Sequence, residues 1–214
     1  MKSKKYGNLK IDNNPEAFFM ASNNAFAKNG YRRTTMSDIA EASDMSRPAL
    51  YLAFKNKEDV FCSTISFLMS AAVAGSINTL SQSGPIEERF LSAMLDFEEP
   101  YWGPIAKSQY AFEIINSTDK LYSTAAVIRL GRNQLRAALS KALQTAVRNG
   151  EVTFVNLKMQ PSAFVGTLMS ILAAKKYQDY ASTDYIDVPL RKFTRRNSKI
   201  IKIFLQSIIS RPIK

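Results

Sequence analysis

Residues 30–58 read GYRRTTMSDIAEASDMSRPALYLAFKNKE, and no other segment of the chain predicts its structure as specifically. Thr35 is followed three residues later by Asp38, a spacing that resembles a capping box and predicts the start of a short helix. Ser46 can cap a second short helix, and Pro48 lies in its first turn, where a missing amide does no harm. Two short helices joined by a tight turn predict a helix-turn-helix unit.

The flanking residues predict one further helix on each side of this unit. Asn14 can cap a helix that begins at Pro15 and that Gly30 ends. Asn56 can cap a long helix beginning at Lys57. The apolar seam of the first helix is formed by Phe18, Ala25 and Phe26.

The first turn of the second short helix carries side chains suited to reading base pairs. Arg47 can donate two hydrogen bonds to guanine, and Pro48 and Ala49 suit thymine methyl groups. A short helix that protrudes from the protein surface can place this turn in the major groove.

The motif GY…TTMSDIAE…SRPALY…F…KE resembles the DNA-binding domain of tetracycline-repressor (TetR) family regulators over roughly residues 15–65. The resemblance implies that the first turn of the third helix reads bases, through Arg47, Pro48 and Ala49. It also implies phosphate contacts, and for one residue an apolar contact with DNA. The phosphate contacts are assigned to Thr35, Ser46, Tyr51 and Lys57, and the apolar contact to Leu52.

Two positions depart from the family pattern. Asp44 stands in the turn where glycine is usual, and aspartate tolerates the left-handed conformation better than most residues. Ala53 stands where a histidine is usual, so we expect one backbone contact with DNA to be missing.

The composition excludes most enzyme classes. The chain has no histidine and a single cysteine, Cys62, which removes His-dependent catalytic triads and the common zinc sites. Glycine-rich phosphate loops are also absent, and the adjacent pair Glu98 and Glu99 is a poor acid–base dyad because neighbours on a helix face apart. We therefore expect no catalytic residue, no metal and no cofactor.

The formal charge of +11 favours a polyanionic partner. Residues 1–60 hold ten Lys/Arg and seven Asp/Glu, a net of +3, which leaves +8 to the rest. The final helix carries several of these cations, and we favour a solvated face there over an anionic ligand, a second nucleic-acid contact or a membrane surface. They are Arg191, Lys192, Arg195, Arg196, Lys199 and Lys202.

We expect a cytoplasmic protein without membrane contact. No run approaches the roughly 20 apolar residues that cross a bilayer. The basic residues 1–14 lack the apolar centre of a secretory signal, and one cysteine suits a reducing compartment. This basic segment can act as a flexible arm, either following the DNA backbone or merely solubilising the chain.

The rest of the chain predicts an all-α fold in three parts: the arm (1–14), a helix-turn-helix domain (15–60) and a helical ligand-binding and dimerisation domain (61–214). Helix-breaking residues and hydrophobic periodicity predict helices over 57–81, 86–98, about ten residues ending at 116, 119–149, 161–180 and 189–210. Ser117 or Thr118 can cap the helix over 119–149. An aromatic loop is predicted at 101–104, after Pro100.

Two further residue sets are expected in the C-terminal part. Candidate ligand-lining side chains, which ordinary core packing would explain equally well, are Met94, Glu98, Tyr101, Trp102, Tyr110, Phe112, Glu113 and Tyr122. The resemblance implies that the last two helices pair across a dimer, and the side chains assigned to core or dimer contacts are Phe164, Leu168, Ile171, Phe193, Ile200 and Phe204.

These expectations combine into a homodimeric regulator of a palindromic operator, released from DNA by a small molecule. Two recognition helices about one duplex turn apart, roughly 34–36 Å, would read the palindrome. The alternatives are a regulator without an effector and a basic protein that binds nucleic acid without sequence preference.

Overall fold

The computed structural model describes residues 14–106, 108–154, 157–182 and 190–209. Within these ranges the backbone alone is described for residues 98–104, 106, 112, 119, 175–182 and 190–196. Nine α-helices occupy these ranges, and the predicted all-α class is confirmed. The described extended pairing is one isolated bridge between Val152 and Ile209. The helices are α1 (Pro15–Arg33), α2 (Met36–Ala42), α3 (Arg47–Ala53), α4 (Lys57–Leu80), α5 (Ile86–Ala106), α6 (Ala111–Lys120), α7 (Tyr122–Arg148), α8 (Pro161–Ser182) and α9 (Leu190–Gln206).

Helix α4 is the centre of the molecule. It packs against α1, α5 and α7, and it runs without interruption across the domain boundary predicted at residue 60. With 24 residues it is long and apolar enough to cross a membrane, so the expectation that no segment qualifies was wrong. Half of its most apolar stretch is buried inside the protein.

One buried core joins the N-terminal helices to the C-terminal ones. Phe26 packs edge-on against Phe61 of α4, with ring centroids 4.8 Å apart. Tyr31 folds back over the same ring, with ring centroids 4.8 Å apart. The core continues through α5, α7 and α8 to Phe164 and Leu168.

The predicted end of the helix at Pro100 was wrong, because α5 continues through both prolines to Ala106. Met94 and Ile105 are eleven residues apart, about three helical turns, so they share one face. Both are buried, and continuing the helix is what brings Ile105 into the core. Tertiary burial outweighs the local penalty of the prolines.

The predicted boundary at Asp119 was also wrong, because α6 extends to Lys120 and α7 begins at Tyr122. Ser117 and Thr118, expected to cap a new helix, instead donate their hydroxyls to helical carbonyls. The Ser117 hydroxyl reaches the Glu113 carbonyl at 2.8 Å and the Thr118 hydroxyl the Ile115 carbonyl at 2.6 Å. A hydroxyl that bonds backward along a helix does not start one.

Candidate nucleic-acid interface

The capping box that opens α2 is present. The Thr35 hydroxyl accepts a hydrogen bond from the Asp38 amide at 3.2 Å, and the Asp38 carboxylate accepts one from the Thr35 amide at 2.8 Å. The bond from the Thr35 amide, then the bond from its hydroxyl, lower the pKa of Asp38 below its usual value. The predicted start of the helix-turn-helix is confirmed.

The turn between α2 and α3 is tight because Asp44 adopts a left-handed conformation with φ 54°. Aspartate thus occupies the position where glycine is usual, as expected. The Ser43 hydroxyl closes the end of α2 by donating to the Ile39 carbonyl at 2.7 Å, and the Met45 amide donates to the Ala40 carbonyl at 2.9 Å. These bonds fix where α3 begins.

Helix α3 has one buried side and one open side. Ser46 caps it by accepting from the Ala49 amide at 3.3 Å. Leu50 is fully buried, and Phe54, just beyond the helix, stacks on Phe18 with centroids 5.2 Å apart. The inner side therefore anchors a helix of only two turns.

The open side of α3 carries most of the predicted base and backbone contacts. Arg47 and Pro48 are exposed in the first turn, and Ala49 is half-buried. Tyr51 is 58% exposed and Leu52 is 91% exposed. Two large side chains that are adjacent in sequence thus face solvent on this short helix.

Lys57 holds a structural position that the sequence did not indicate. Its ammonium donates to the carbonyls of Tyr31 at 2.8 Å and Arg32 at 2.9 Å, and it lies 4.8 Å from the centre of the Tyr31 ring. Burial lowers the pKa of Lys57, and the carboxylate of Glu113 partly offsets this. The ammonium thus caps the end of α1, and the predicted phosphate contact would compete with these bonds.

Two predicted ligand residues, Tyr110 and Glu113, lie against the end of α1 instead of facing an open cavity. Glu113 accepts a hydrogen bond from the Arg32 amide at 2.6 Å. The Arg33 guanidinium lies 4.3 Å from the centre of the Tyr110 ring. Sequence reasoning missed this contact, which joins residues about 80 positions apart and has no local signature.

The other predicted ligand residues are scattered. Met94 is buried in the core, whereas Tyr122 is 84% exposed, which is not the environment of a pocket-lining side chain. The remaining four side chains lie outside the described part of the structure; they belong to Glu98, Tyr101, Trp102 and Phe112.

Two of the surface grooves formed by described residues are large, and none of the predicted ligand residues lines either of them. One has a volume of about 620 Å³ and lies between α4 and α7, over Val73, Ile77 and Ala138. The other, about 590 Å³, lies beside Phe154 at the start of α8.

The residues assigned jointly to core and dimer contacts separate in the structure. Phe164 and Leu168 are buried within the protomer and pack in its core, which is one of the two environments expected for them. Ile171 is 38% exposed, Ile200 and Phe204 are half-buried, and the side chain of Phe193 is not described. Sequence reasoning passed over Ile203, which is 65% exposed on α9.

Comparison with known proteins gives results that agree with this geometry. Residues 20–63 match the model of the tetR family of bacterial regulatory proteins. An uncharacterized HTH-type transcriptional regulator, YhgD of Bacillus subtilis, is 29% identical over 84 residues, which are 38% of this chain and 44% of that protein. The aligned part thus spans less than half of that relative.

Solved structures of similar fold extend over nearly the whole chain. SmeT, the repressor of the Stenotrophomonas maltophilia multidrug efflux pump SmeDEF, matches with a TM-score of 0.65 at 14% identity, covering 93% of this chain and 92% of SmeT. The regulator FadR of Bacillus subtilis, solved with stearoyl-CoA, matches with a TM-score of 0.60 at 14% identity, covering 90% of this chain and 98% of FadR. At this identity the likeness concerns the fold.

Proposed function

We propose that this chain, whose residues 20–63 match the model of the tetR family of bacterial regulatory proteins, is a member of that family and acts as a dimeric, operator-binding transcriptional repressor released by a small molecule. In this proposal residues 15–60 read DNA and residues 61–214 form the dimer and sense the effector. Residues 1–14 are a basic arm.

The observation that carries the proposal is the first turn of α3. It is capped by Ser46, anchored from behind by Leu50 and open on the side that bears Arg47 and Pro48. A helix held in this way can place its N-terminal residues against base edges in the major groove.

Each exposed residue of this surface has a proposed role. Arg47 donates to guanine, while Pro48 and Ala49 contact thymine methyl groups. Leu52, the most exposed of the large apolar side chains, contributes an apolar contact beside them. The phosphate-binding side chains are Thr35, Ser46 and Tyr51, with Lys57 engaged only if it leaves the carbonyls it now caps.

A dimer is proposed because one α3 reads only half of a palindrome. Ile171 on α8 and Ile203 on α9 are exposed apolar side chains, and they favour pairing through the last two helices. The structural likeness to SmeT supports repression as the outcome of DNA binding.

The effector is proposed to bind among the C-terminal helices, as the likeness to FadR, solved with stearoyl-CoA, supports. The α4–α7 groove has a volume within the usual range of ligand sites, about 300–1,000 Å³. Its floor is apolar, and the lining cations are Lys141 and Arg89, the latter 3.7 Å from the Glu151 carboxylate. This groove suits an apolar molecule with an anionic end.

The test is binding of the full chain to its own upstream DNA, with excess competitor DNA, over a salt series. We expect protected half-sites related by a dyad. Arg47→Ala should reduce discrimination at one base pair by about 1–3 kcal/mol. The matched control is Arg129→Ala, which removes the same charge from an exposed position on α7 and should leave discrimination unchanged.

The second candidate function, binding driven by bulk charge, is favoured by the net charge of +11. Residues 14–60, however, contain six Lys/Arg and six Asp/Glu, so the segment that contains α1, α2 and α3 has no net charge. Binding that ignores sequence, weakens steeply with salt and responds equally to both arginine variants would establish this alternative and refute the operator proposal.

A further inference from the structure

The last turn of α1 is joined to the segment before and within α6 by a set of contacts that no local sequence pattern predicts. We define the α1–α6 joint by Gly30, Arg32 and Arg33 on one side and Tyr110 and Glu113 on the other. The Ser108 hydroxyl adds a hydrogen bond to the Ala27 carbonyl. One side of the joint belongs to the part proposed to read DNA (15–60), and the other side belongs to the part proposed to sense the effector (61–214).

The joint exists because Gly30 interrupts α1. With φ 76° and ψ 158°, Gly30 leaves helical geometry, and the chain then forms one more turn in which the Thr34 amide donates to the Gly30 carbonyl at 3.1 Å. The first amides of a new turn have no helical acceptor. The Arg32 amide is one of them, and it requires an acceptor from elsewhere.

Glu113 supplies that acceptor from α6. Its carboxylate lies 2.6 Å from the Arg32 amide, so it acts as a helix N-cap provided by a distant element. A hydrogen bond to a charged group contributes more than a neutral one. The bond therefore fixes the end of α1 to α6 in position and direction.

Packing at the joint is as close as atoms allow. A Cβ built on Gly30 would lie 3.0 Å from Cγ of Tyr110 and 3.1 Å from Oε2 of Glu113. The Arg33 guanidinium covers the other part of the Tyr110 ring at 4.3 Å. Because there is no slack between the two elements, a displacement of α6 moves the end of α1 with it.

We propose that Glu113 is a positioning residue for DNA reading: by capping the turn after Gly30, it sets the orientation of α1–α3 relative to the C-terminal helices. This inference rests on the proposed function and adds to it a second connection, through α6, beside the continuous helix α4. Glu113 touches no base or phosphate in this role. It determines where α3 stands and leaves unchanged what α3 recognises.

The separation of two half-sites reports orientation directly. Adding one base pair between the half-sites moves them about 3.4 Å along the duplex and rotates one about the axis. A dimer with firmly held reading helices tolerates this poorly, whereas a dimer with a loosened joint tolerates it better. A residue that serves stability alone does not change this tolerance.

The experiment compares full-length wild type, Glu113→Ala and Glu113→Gln on the protected operator, on the operator with one base pair inserted between half-sites, and on a single half-site. The matched control is Glu88→Ala, which makes the same charge change on an exposed residue of α5. Thermal unfolding confirms that each variant is folded at the assay temperature.

For wild type and Glu88→Ala we expect the insertion to weaken binding by about tenfold, a coupling of roughly 1.4 kcal/mol. For Glu113→Ala the loss should shrink to about threefold or less while single half-site affinity stays within about twofold. Glu113→Gln, which keeps an acceptor oxygen without the charge, should fall between them.

A spacing penalty in Glu113→Ala equal to that of wild type overturns the inference, as does a matching loss of affinity for the single half-site. Wild type without a dyad-related site or a spacing penalty overturns the proposed function instead. The two failures thus give different results.

Discussion

Replacing Gly30 by alanine should destabilise the protein more than alanine at any other glycine with a described environment. Gly30 has φ 76° and ψ 158°, a region of backbone space that is essentially reserved for glycine. Holding another residue there costs about 1–3 kcal/mol. The added methyl group would also lie 3.0 Å from Cγ of Tyr110, which is tighter than nine in ten real Cβ contacts.

The second cost is displacement of α6. Cγ belongs to the base of the tyrosine ring and has little freedom, so the backbone near Tyr110 must shift. Overpacking of this kind costs about 1–3 kcal/mol. Together the two costs are roughly 2–6 kcal/mol, which for a chain of this size lowers Tm by roughly 4–24 °C.

Two other glycines separate these costs. Gly150 also has a positive φ, 74°, but nothing lies within 4 Å of its added Cβ, so Gly150→Ala carries only the backbone cost. Gly75, inside α4, has neither problem, and Gly75→Ala should stabilise the protein by up to about 1 kcal/mol through helix propensity. Thermal and denaturant unfolding of the three variants should therefore rank them Gly75, Gly150 and Gly30, from most to least stable.

Equal destabilisation by Gly30→Ala and Gly150→Ala would refute the close packing of Tyr110 on α1. A Gly30→Ala variant as stable as Gly75→Ala would refute the kinked backbone itself. It would also refute the premise that the Arg32 amide has no acceptor within α1, on which the α1–α6 joint depends.

Three further predictions concern single side chains. Asp38 has a lowered pKa in the folded state, so its contribution to stability is present above its unfolded pKa, about 3.9, and is lost as pH falls through the folded value. Asp38→Asn should therefore flatten the pH dependence of Tm in acid. An unchanged acid profile would contradict this. Phe164→Ala should lower the free energy of unfolding by about 3–5 kcal/mol because the ring is buried within the protomer. Ile203→Glu should leave the protomer folded and weaken dimerisation in analytical ultracentrifugation. The reverse pattern would place Ile203 in the core and Phe164 at the dimer interface. Lys57→Met should lower Tm because the carbonyls of Tyr31 and Arg32 lose a hydrogen-bond donor. The slope of log operator affinity against log salt concentration should stay the same. A slope smaller by about one would instead establish that Lys57 contacts a phosphate.

The local part of the reading unit could be predicted from sequence because its signals act over a few residues. Thr35 and Asp38 form the capping box that their spacing indicates, and Ser46 caps α3. Asp44 takes the left-handed turn that its place in the motif requires. Side-chain capping and turn conformation are decided by nearest neighbours, so the linear sequence carries them.

Helix limits in the C-terminal part were less predictable because tertiary contacts compete with local signals there. Pro100 reads as a helix end, yet burial of Ile105 draws the helix onward to Ala106. Ser117 and Thr118 read as caps, yet their hydroxyls bond backward within α6. A helix-propensity penalty of about 1–3 kcal/mol is outweighed when burial of an apolar side chain stabilises the fold by as much or more.

The sequence by itself determined the helical class, the helix-turn-helix and the residues in the first turn of α3, since these follow from periodicity, capping and turn chemistry within short windows. Only the tertiary structure decided that Phe164 is core, that Lys57 caps α1 and that Glu113 binds the Arg32 amide. Arg32 and Glu113 are 81 positions apart, and their meeting depends on how α1, α4 and α6 pack together. A hydrogen-bond donor freed by one glycine can be satisfied by any carboxylate that the fold brings near, and the linear order of residues does not say which.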